Sequence, residues 1–316
     1  MHIILVTPSS PRSRTGNQIT SLRWSRILRQ LGARVTVQQI YDGRKCDLMI
    51  ALHARRSFAS LRRYRREFPE SPAVLALTGT DLYQDIRRHT QALRALQWAT
   101  RLVVLQADAV RHVPRRLQSK TRVIYQSARK SAGSHAPLQN VFEVCIIGHL
   151  RGVKDPFRAA LAARQLPLNS RIRINHFGAA LTPAMQRRAI VETERNTRYC
   201  WHGDVPHWRM LRRLARSRLL VLSSKLEGGA NVVSEAIAAQ VPVLSTRISG
   251  TIGLLGPNYP GYFRVGDTHD LVRQLQRAES DPQFYSRLSS ACRQQSRLVD
   301  PRLELASWQK LLAELF

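Results

Sequence analysis

Short apolar runs that alternate with amphipathic helical patterns recur along the whole chain. Uninterrupted apolar strands separated by helices are typical of parallel β-sheets that are covered on both faces. The pattern therefore predicts an α/β protein. In chain order the predicted strands are Ile3–Val6, Val35–Gln39, Leu48–Leu52, Val74–Leu77, Leu102–Leu105, Val123–Tyr125, Val144–Ile147, Ile172–Ile174, Tyr199–Trp201, Leu219–Leu222, Val241–Leu244 and Tyr262–Val265.

The strand–helix pattern falls into two halves. With 316 residues the chain is long enough for two domains of about 150 residues each. The segment 126–140 is rich in small and polar residues, lacks an apolar period and is predicted to be a linker. We therefore predict one domain over residues 1–130, a second over 131–300 and an amphipathic helix over 301–316. Ligands of parallel sheets bind at the carboxyl ends of strands, so the expected site is a central cleft between the domains.

The net charge of the chain is +29, and nearly all of the excess is arginine spread along its length. Three interpretations stay open: binding of nucleic acid, docking on anionic lipid, and a general arginine bias on a solvated surface. No RRM, helix-turn-helix or zinc-finger pattern accompanies the charge. We therefore predict no nucleic-acid partner.

The cysteines and the apolar runs indicate a cytoplasmic protein. The four cysteines are widely spaced and form no metal-binding or CxxC pattern, so they are interpreted as buried apolar residues in a reducing compartment. No apolar run reaches the roughly 20 residues that a membrane helix needs. The first residues are predicted to form a strand and not a signal peptide, because they lack a basic segment and a cleavage site.

A motif of 14 residues begins directly after the apolar run Leu219–Leu222. A glycine-containing turn, 223–230, leads into a helical pattern that starts at Asn231. Unpaired backbone N–H groups and the helix dipole at such a point favour a phosphate. Glu227 and Glu235 would repel a phosphate but can accept hydrogen bonds from sugar hydroxyls. The motif predicts a sugar-nucleotide site; the alternative is an ordinary turn with two surface glutamates.

Three strand ends in the first half carry small, polar or basic residues. They are Thr7–Asn17, His53–Ser57 and Thr78–Tyr83. The first of these loops suits an anion, although it is not the GxGxxG fingerprint of dinucleotide-binding proteins. Together they are typical of one wall of a binding cleft. The alternative is three solvated loops in which Ser57 or Asp81 caps a helix.

The strand end in 148–155 carries two cations, Arg151 and Lys154, that can neutralise a diphosphate leaving group. The sequence contains no Asp-x-Asp pair and no metal-ligand spacing of histidines, so we predict no metal and no other cofactor. His176 and His202 stand at the ends of two further predicted strands. They are interpreted as hydrogen-bonded structural histidines and not as catalysts.

Two spacings resemble those of the GT-B glycosyltransferases of family 4. They are Gly148 with Lys154 six residues later, and Glu227 with Glu235 eight residues later, followed by Pro-Val-Leu at 242–244. The resemblance implies two Rossmann-like βαβ domains. It also implies that the lysine binds the donor diphosphate, that the first glutamate lies at the donor sugar and that the second binds the ribose hydroxyls.

One position departs from this family pattern, and one segment is explained by it. The family usually has arginine directly after the glycine, whereas this chain has His149 there and Arg151 two residues later. The second cationic contact to the diphosphate is therefore open. The last helix of the family returns to the N-terminal domain, which implies the same place for residues 301–316.

A closer resemblance extends over nearly the whole chain, to the selenosugar synthases of selenoneine biosynthesis. It implies that selenophosphate attacks the anomeric carbon of a UDP-sugar, typically UDP-N-acetylglucosamine, so that UDP leaves, phosphate is lost and a 1-selenosugar forms. The blocks that carry it are Arg14–Asn17, Leu52–Ser57, Leu77–Tyr83, Val153–Arg158, Glu227–Ala236 and Pro260–Phe263.

The acceptor site is our inference from the basic loops of the first half. Selenophosphate is a small, highly charged anion with a soft nucleophilic atom, so it needs a cradle and orientation more than a strong base. An ordinary hexosyltransferase of the same family, with a hydroxyl acceptor such as a lipid, is the alternative enzyme. A nucleic-acid-binding protein is the alternative outside enzymes.

The predicted site residues form three groups. Catalytic roles are assigned to Glu227, Lys154 and His53. Donor-binding roles are assigned to Gly148, His149, Arg151, Lys154, Ser224, Glu227, Gly228, Gly229, Ala230, Asn231, Val232 and Glu235. Acceptor-binding roles are assigned to Arg12, Arg14, Thr15, Gly16, Asn17, His53, Arg55, Arg56, Thr78, Gly79, Thr80 and Asp81.

Overall fold

A computed structural model describes residues 1–11, 15–129 and 136–316. The chain forms two compact units. The first comprises Met1–Gln126, Glu227–Gly229 and Pro301–Phe316, and the second comprises Ser127–Leu226 and Ala230–Asp300. The helix near the end of the chain thus belongs to the unit formed by the first 126 residues.

The first unit contains a parallel six-stranded sheet with the strand order β2-β1-β3-β4-β5-β6. Its central strands are fully buried because helices cover both faces. The strands are β1 His2–Val6, β2 Arg34–Gln38, β3 Leu48–Leu52, β4 Ala73–Leu77, β5 Arg101–Val104 and β6 Thr121–Val123. The helices among residues 1–126 are α1 Gly16–Gln30, α2 Phe58–Glu67, α3 Ile86–Arg88 and α4 Thr90–Trp98, with a π-helical turn at Asp81–Asp85.

The second unit contains another parallel six-stranded sheet, with the order β12-β11-β10-β7-β8-β9. Its strands are β7 Phe142–Ile147, β8 Ile172–Phe177, β9 Tyr199–Trp201, β10 Leu219–Leu222, β11 Val243–Thr246 and β12 Tyr262–Phe263. Its helices are α5 Arg158–Ala163, α6 Pro183–Arg195, α7 His207–Arg216, α8 Asn231–Ala238, α9 Ser249–Leu255, α10 Thr268–Ser280 and α11 Pro282–Gln294. A 3-10 turn, Gly152–Lys154, follows β7.

Helix α12, Pro301–Ala313, completes one face of the first unit. Trp308 is fully buried and packs edge-to-face on Trp24 of α1, with ring centroids 4.8 Å apart. The Trp24 indole N–H donates to Oε1 of the buried Glu304 at 2.9 Å. Beyond the helix, Arg122 donates to Glu314 at 2.8 Å. The amphipathic helix predicted for residues 301–316 thus forms over Pro301–Ala313, and its apolar side chains are part of this unit's core.

The fold prediction is confirmed: both sheets are parallel and all twelve predicted strands form. Three have the predicted bounds, and most of the others differ at their ends by a few residues; Val123–Tyr125 is displaced and shares only Val123 with β6. Within the predicted linker, the described residues 126–129 and 136–140 contain no helix or strand. Cys46, Cys145 and Cys292 are buried thiols, as expected for cysteines that act as small apolar residues, whereas Cys200 at the end of the sheet is only half-buried, contrary to the prediction.

Candidate functional site

Each sheet has one point where the strand order reverses, and the predicted site loops begin at these points, except Thr78–Tyr83, which follows the next strand, β4. In the second sheet β7 and β10 are neighbours, and the chain leaves them in opposite directions across the sheet. In the first sheet the same holds for β1 and β3. Helices on either side of such a point leave a crevice at the carboxyl ends of the strands, where α/β sheets bind ligands. The loops after these four strands are therefore the candidate binding elements.

The turn after β7 is held by the neighbouring turn after β8. The N–H of Gly148 donates to the carbonyl of Phe177 at 2.8 Å, and the N–H of Ala179 donates to Nδ1 of His149 at 3.1 Å. Gly178 has a φ of +149°, and a Cβ there would collide with the Gly148 carbonyl oxygen. His149 therefore has a structural bond in the place where the family pattern has a cation.

Lys154 is placed by hydrogen bonds to the backbone around it. The Ser223 hydroxyl, at the end of β10, donates to the Lys154 carbonyl at 3.1 Å and to the Asp155 carbonyl at 2.9 Å. The N–H of Lys225 donates to the carbonyl of Val153 at 2.8 Å. The loops that follow β7 and β10 are thus bonded to each other, and the half-buried Lys154 lies where they meet.

A small pocket opens between the ends of β7 and β10. Gly148, Lys154, His176, Ser223 and Ser224 are among the residues that line it. It brings together three of the predicted donor-binding residues. Arg151, by contrast, is exposed and is not among the residues that line this pocket.

Behind the pocket, two buried threonine hydroxyls donate hydrogen bonds to backbone carbonyls. Thr246 donates to the carbonyl of the fully buried Ser224 at 2.5 Å, and Thr251 donates to the Thr246 carbonyl at 2.8 Å. The backbone of Ser224 is therefore held by the residues behind the pocket. The turn continues through Ala230 into α8, which begins at Asn231, as predicted.

Glu235 lies on the buried face of α8 and is held by a residue that the sequence did not single out. Its Oε1 accepts a hydrogen bond from Nε2 of His207 at 2.7 Å. Val232, one turn earlier on the helix, is buried and packs in the interior. Of the predicted donor residues on this helix, Glu235 is thus the one with a charged side chain, and it has a defined partner.

The histidines on β8 and after β9 are structural, as predicted. His176 is buried and bonds the Tyr199 hydroxyl at 2.9 Å and the Gly148 carbonyl at 3.1 Å. Burial lowers its pKa to about 4, so its ring is neutral at neutral pH. His202 bonds the side-chain oxygen of Asn175 at 2.7 Å and stacks on Phe177; burial lowers its pKa as well.

In the first unit, the loop after β1 leads into the N-terminus of α1. Thr15 caps this helix by accepting from the N–H of Gln18, and Ser9 bonds the Thr15 hydroxyl at 2.6 Å. Gly16 is exposed and Asn17 half-buried in the first turn, so this helix start is open to solvent. Arg12 and Arg14 lie outside the described residues, and their roles stay predictions.

His53 follows β3 in a left-handed conformation, with a φ of +73°. A non-glycine residue there costs of the order of 1 kcal/mol, and such residues concentrate at functional sites. The side chain is buried, with Nε2 at 3.1 Å from the Thr80 hydroxyl, while Nδ1 accepts from the N–H of Arg56 at 3.4 Å. The described contacts fix the ring in one orientation.

The turn after β4 is built around Asp81, which has no exposure. Its carboxylate accepts from the N–H groups of Ala54 at 3.0 Å, Thr78 at 3.0 Å and Gly79 at 2.8 Å. A carboxylate so buried shapes the loop, and the role of Asp81 in acceptor binding stays a prediction. Ser57 stands at the N-cap position of α2, as the alternative expected, but its hydroxyl donates to the Leu52 carbonyl and makes no capping bond to the helix.

A carboxylate that sequence reasoning missed lies beside the basic loop after β3. Asp85 pairs with the exposed Arg55 at 3.5 Å, and its Oδ2 lies 3.9 Å from Nε2 of His53. Arg56 is exposed next to Arg55. Asp85 thus neutralises part of the positive charge that the sequence assigned to this loop.

The segment Glu227–Gly229 belongs to the first unit, although its neighbours in sequence on both sides belong to the second. A Cβ on Gly228 would collide with the Thr78 carbonyl oxygen, and a Cβ on Gly229 would collide with the Leu105 side chain. Glycine at both positions is therefore required by close packing. Glu227 itself is half-buried.

No three histidine, cysteine, aspartate or glutamate side chains gather as a metal-binding group within residues 1–11, 15–129 and 136–316. Over the same part of the chain, none of the helices has both the length and the apolar character required to cross a bilayer.

The sequence profile of the family described as "Glycosyl transferases group 1" matches residues 129–295. This span is more than half of the 316 residues. A comparison with curated protein sequences gave no significant match.

Several solved structures are similar over the full length of the chain. Sucrose-phosphate synthase from Thermosynechococcus elongatus has a TM-score of 0.81 at 16% identity, covering 100% of this chain and 99% of that chain. Anabaena HepE in complex with UDP-glucose has a TM-score of 0.74 at 16% identity, with 99% and 100% covered. A glycosyltransferase from Rickettsia africae has a TM-score of 0.73 at 11% identity, with 99% and 98% covered. At these identities the similarity concerns the fold.

Proposed function

The chain belongs to the group 1 glycosyltransferases and has their two-domain GT-B fold, and on that premise we propose that it transfers a sugar from UDP-N-acetylglucosamine to selenophosphate. The product would be a 1-selenosugar, as in selenoneine biosynthesis. The observation that carries the proposal is that each sheet presents predicted ligand-binding loops at or next to its own reversal point. The second unit holds Lys154 and Glu235, which we assign to a sugar nucleotide, and the first holds the basic loops that we assign to a small anion.

The donor would be held by the loops after β7 and β10. Lys154 would neutralise the diphosphate, helped by backbone N–H groups between Gly228 and Asn231 at the start of α8. Glu227 would accept from a hydroxyl of the sugar, and Glu235 from the ribose hydroxyls. Support comes from the pocket that Lys154 shares with Ser224, and from HepE, a protein of the same fold that was solved with UDP-glucose.

Selenophosphate would bind at the loops after β1, β3 and β4. The open helix start at Gly16 offers N–H groups, and Arg55 offers a cation, with Arg12 and Arg14 as further candidates. His53, whose ring nitrogens bond Thr80 and a backbone N–H, would hold the loops after β3 and β4 in the geometry that receives the anion. The buried Asp81 would hold these loops in place without touching the substrate.

The reaction forms one bond to the anomeric carbon and breaks another. The selenium lone pair attacks C1 of the sugar, the bond from C1 to the diphosphate oxygen breaks, and UDP leaves with that electron pair. Water then cleaves the selenium–phosphorus bond, which gives inorganic phosphate and the 1-selenol. Because selenium is already a strong nucleophile, the protein needs to position it and to stabilise the charge on UDP; Lys154 would do the latter.

The acceptor can be identified by comparing how fast UDP is released with different nucleophiles. UDP release from UDP-N-acetylglucosamine would be followed with selenophosphate, with inorganic phosphate and with a long-chain alcohol as separate acceptors. We expect that, of the three acceptors, only selenophosphate raises the rate of UDP release above that of background hydrolysis. Release that depends on the alcohol, and not on selenophosphate, would instead identify a hexosyltransferase with a hydroxyl acceptor.

A further inference from the structure

The proposed ribose ligand, Glu235, has its own partner in the second unit. His207, the first residue of α7, places Nε2 at 2.7 Å from Oε1 of Glu235 on α8. A carboxylate oxygen accepts only, so Nε2 carries the proton and the other ring nitrogen faces away from this bond. The distance is that of a short, well-formed hydrogen bond.

The two side chains differ in burial. Glu235 is 8% exposed, whereas half of the His207 side chain is exposed to solvent. A carboxylate that is mostly buried needs a donor, because it has lost most of its water. The half-exposed His207 supplies that donor, so the carboxylate of Glu235 can stay charged although it is buried.

The bond from His207 occupies Oε1 of Glu235 and does not involve Oε2. The described residues give Oε2 no hydrogen bond, and this atom is not among the buried polar atoms that lack a partner. Oε2 is therefore the oxygen that can accept from a hydroxyl of a ligand. With Oε1 fixed, the direction in which Oε2 points is fixed as well.

The position of His207 is itself rigid. Pro206 precedes it and begins the helix with a backbone angle φ of −55°, and its carbonyl accepts from the N–H groups of Arg209 at 2.9 Å and Met210 at 3.2 Å. A histidine at the first position of such a helix starts from a fixed backbone, which lowers the entropy cost of holding its ring against Glu235.

We propose that His207 is a positioning residue for recognition of the ribose: it holds Glu235 in the rotamer that accepts hydrogen bonds from the ribose hydroxyls. This inference rests on the proposed donor site, and it is independent of the acceptor. It predicts that the contribution of His207 to binding depends on those hydroxyls. A residue with a merely structural role would affect all uridine diphosphates alike.

The test compares the binding of UDP with that of 2′,3′-dideoxyuridine diphosphate by calorimetry. For His207→Ala we expect the Kd for UDP to rise about tenfold, the effect of losing one hydrogen bond to a charged group. The Kd for the dideoxy compound should stay unchanged. His207→Gln, whose amide N–H can reach the same oxygen, should restore most of the affinity for UDP. Arg212→Ala, an exposed change on the same helix, is the control.

Two results would overturn the inference. In one, His207→Ala binds UDP as the unchanged protein does; in the other, it loses UDP and the dideoxy compound to the same extent. If the unchanged protein itself binds no UDP, the proposed donor site fails and this inference fails with it. That outcome can be told apart from the other two, because the unchanged protein already fails to bind UDP.

Discussion

The carboxylate of Asp81 accepts a hydrogen bond from the backbone N–H of Ala54, 27 residues earlier, at 3.0 Å. The bond joins the loop after β4 to the loop after β3, between two neighbouring strands of the first sheet. Because both loops carry proposed acceptor residues, this one buried side chain sets the spacing of the proposed anion site.

Asp81→Asn should destabilise the first unit by about 3 kcal/mol, since its amide presents a donor to at least one of the three N–H groups and leaves it unpaired. The free energy of unfolding, from urea denaturation followed by circular dichroism, measures the effect. The matched control is Asp42→Asn, the same change at an exposed position. Equal stabilities for the two variants would contradict the structural role of Asp81.

Glu235→Ala should raise the KM for the UDP-sugar about tenfold or more, because the ribose hydroxyls lose a charged acceptor. The KM for selenophosphate should not change. Steady-state kinetics with each substrate varied in turn would measure both. Glu194→Ala removes the same charge from an exposed site in the same unit and should leave both constants as they were. Unchanged donor kinetics in the first variant would exclude the ribose role.

Arg55→Ala should weaken the use of selenophosphate about tenfold while UDP binding survives, since it removes a cation from the proposed cradle. Asp85 pairs with Arg55 and would be left next to the site, which adds to the loss. Arg66→Ala, on the exposed side of α2, is the matched control for the loss of one positive charge. If Arg55→Ala behaves like that control, the anion is held elsewhere.

The pH dependence of stability should carry a contribution from His176. Burial lowers its pKa from 6.5 to about 4, so between these values the unfolded chain binds a proton that the folded protein does not. The stabilisation that the neutral, buried His176 gives to the folded state is fully present above pH 6.5 and is lost as the pH falls toward 4. It amounts to about 3 kcal/mol. Urea denaturation at pH 7 and pH 5 should show a smaller difference for His176→Asn than for the unchanged protein; equal differences would contradict the shift.

Much of the fold follows from the sequence because it depends on local pattern. Leu48–Leu52 and Leu219–Leu222 are apolar runs whose length and composition alone indicate buried strands, and the structure has them with those bounds. The start of α8 at Asn231 follows in the same way from the glycine turn before it. Strand ends and helix starts then locate the candidate loops at the reversal points of the two sheets.

What the sequence did not predict depends on contacts between distant residues. His207 and Glu235 are 28 positions apart, and nothing local to His207 marks it as a partner. Asp85 was missed because its neighbours His53 and Arg55 come from another loop. The burial of Asp81 was not predicted either, since sequence cannot tell a buried carboxylate from an exposed one.

The most direct measurement is the mass spectrum of the product. The purified protein would be incubated with UDP-N-acetylglucosamine and selenophosphate, and the mixture separated and analysed without derivatisation. We expect an N-acetylhexosamine selenol, or its diselenide, with the isotope pattern of selenium, formed in step with UDP and abolished by Lys154→Ala. Release of UDP without any selenium-containing sugar, or transfer of the sugar to a hydroxyl acceptor in preference to selenophosphate, would contradict the proposed reaction.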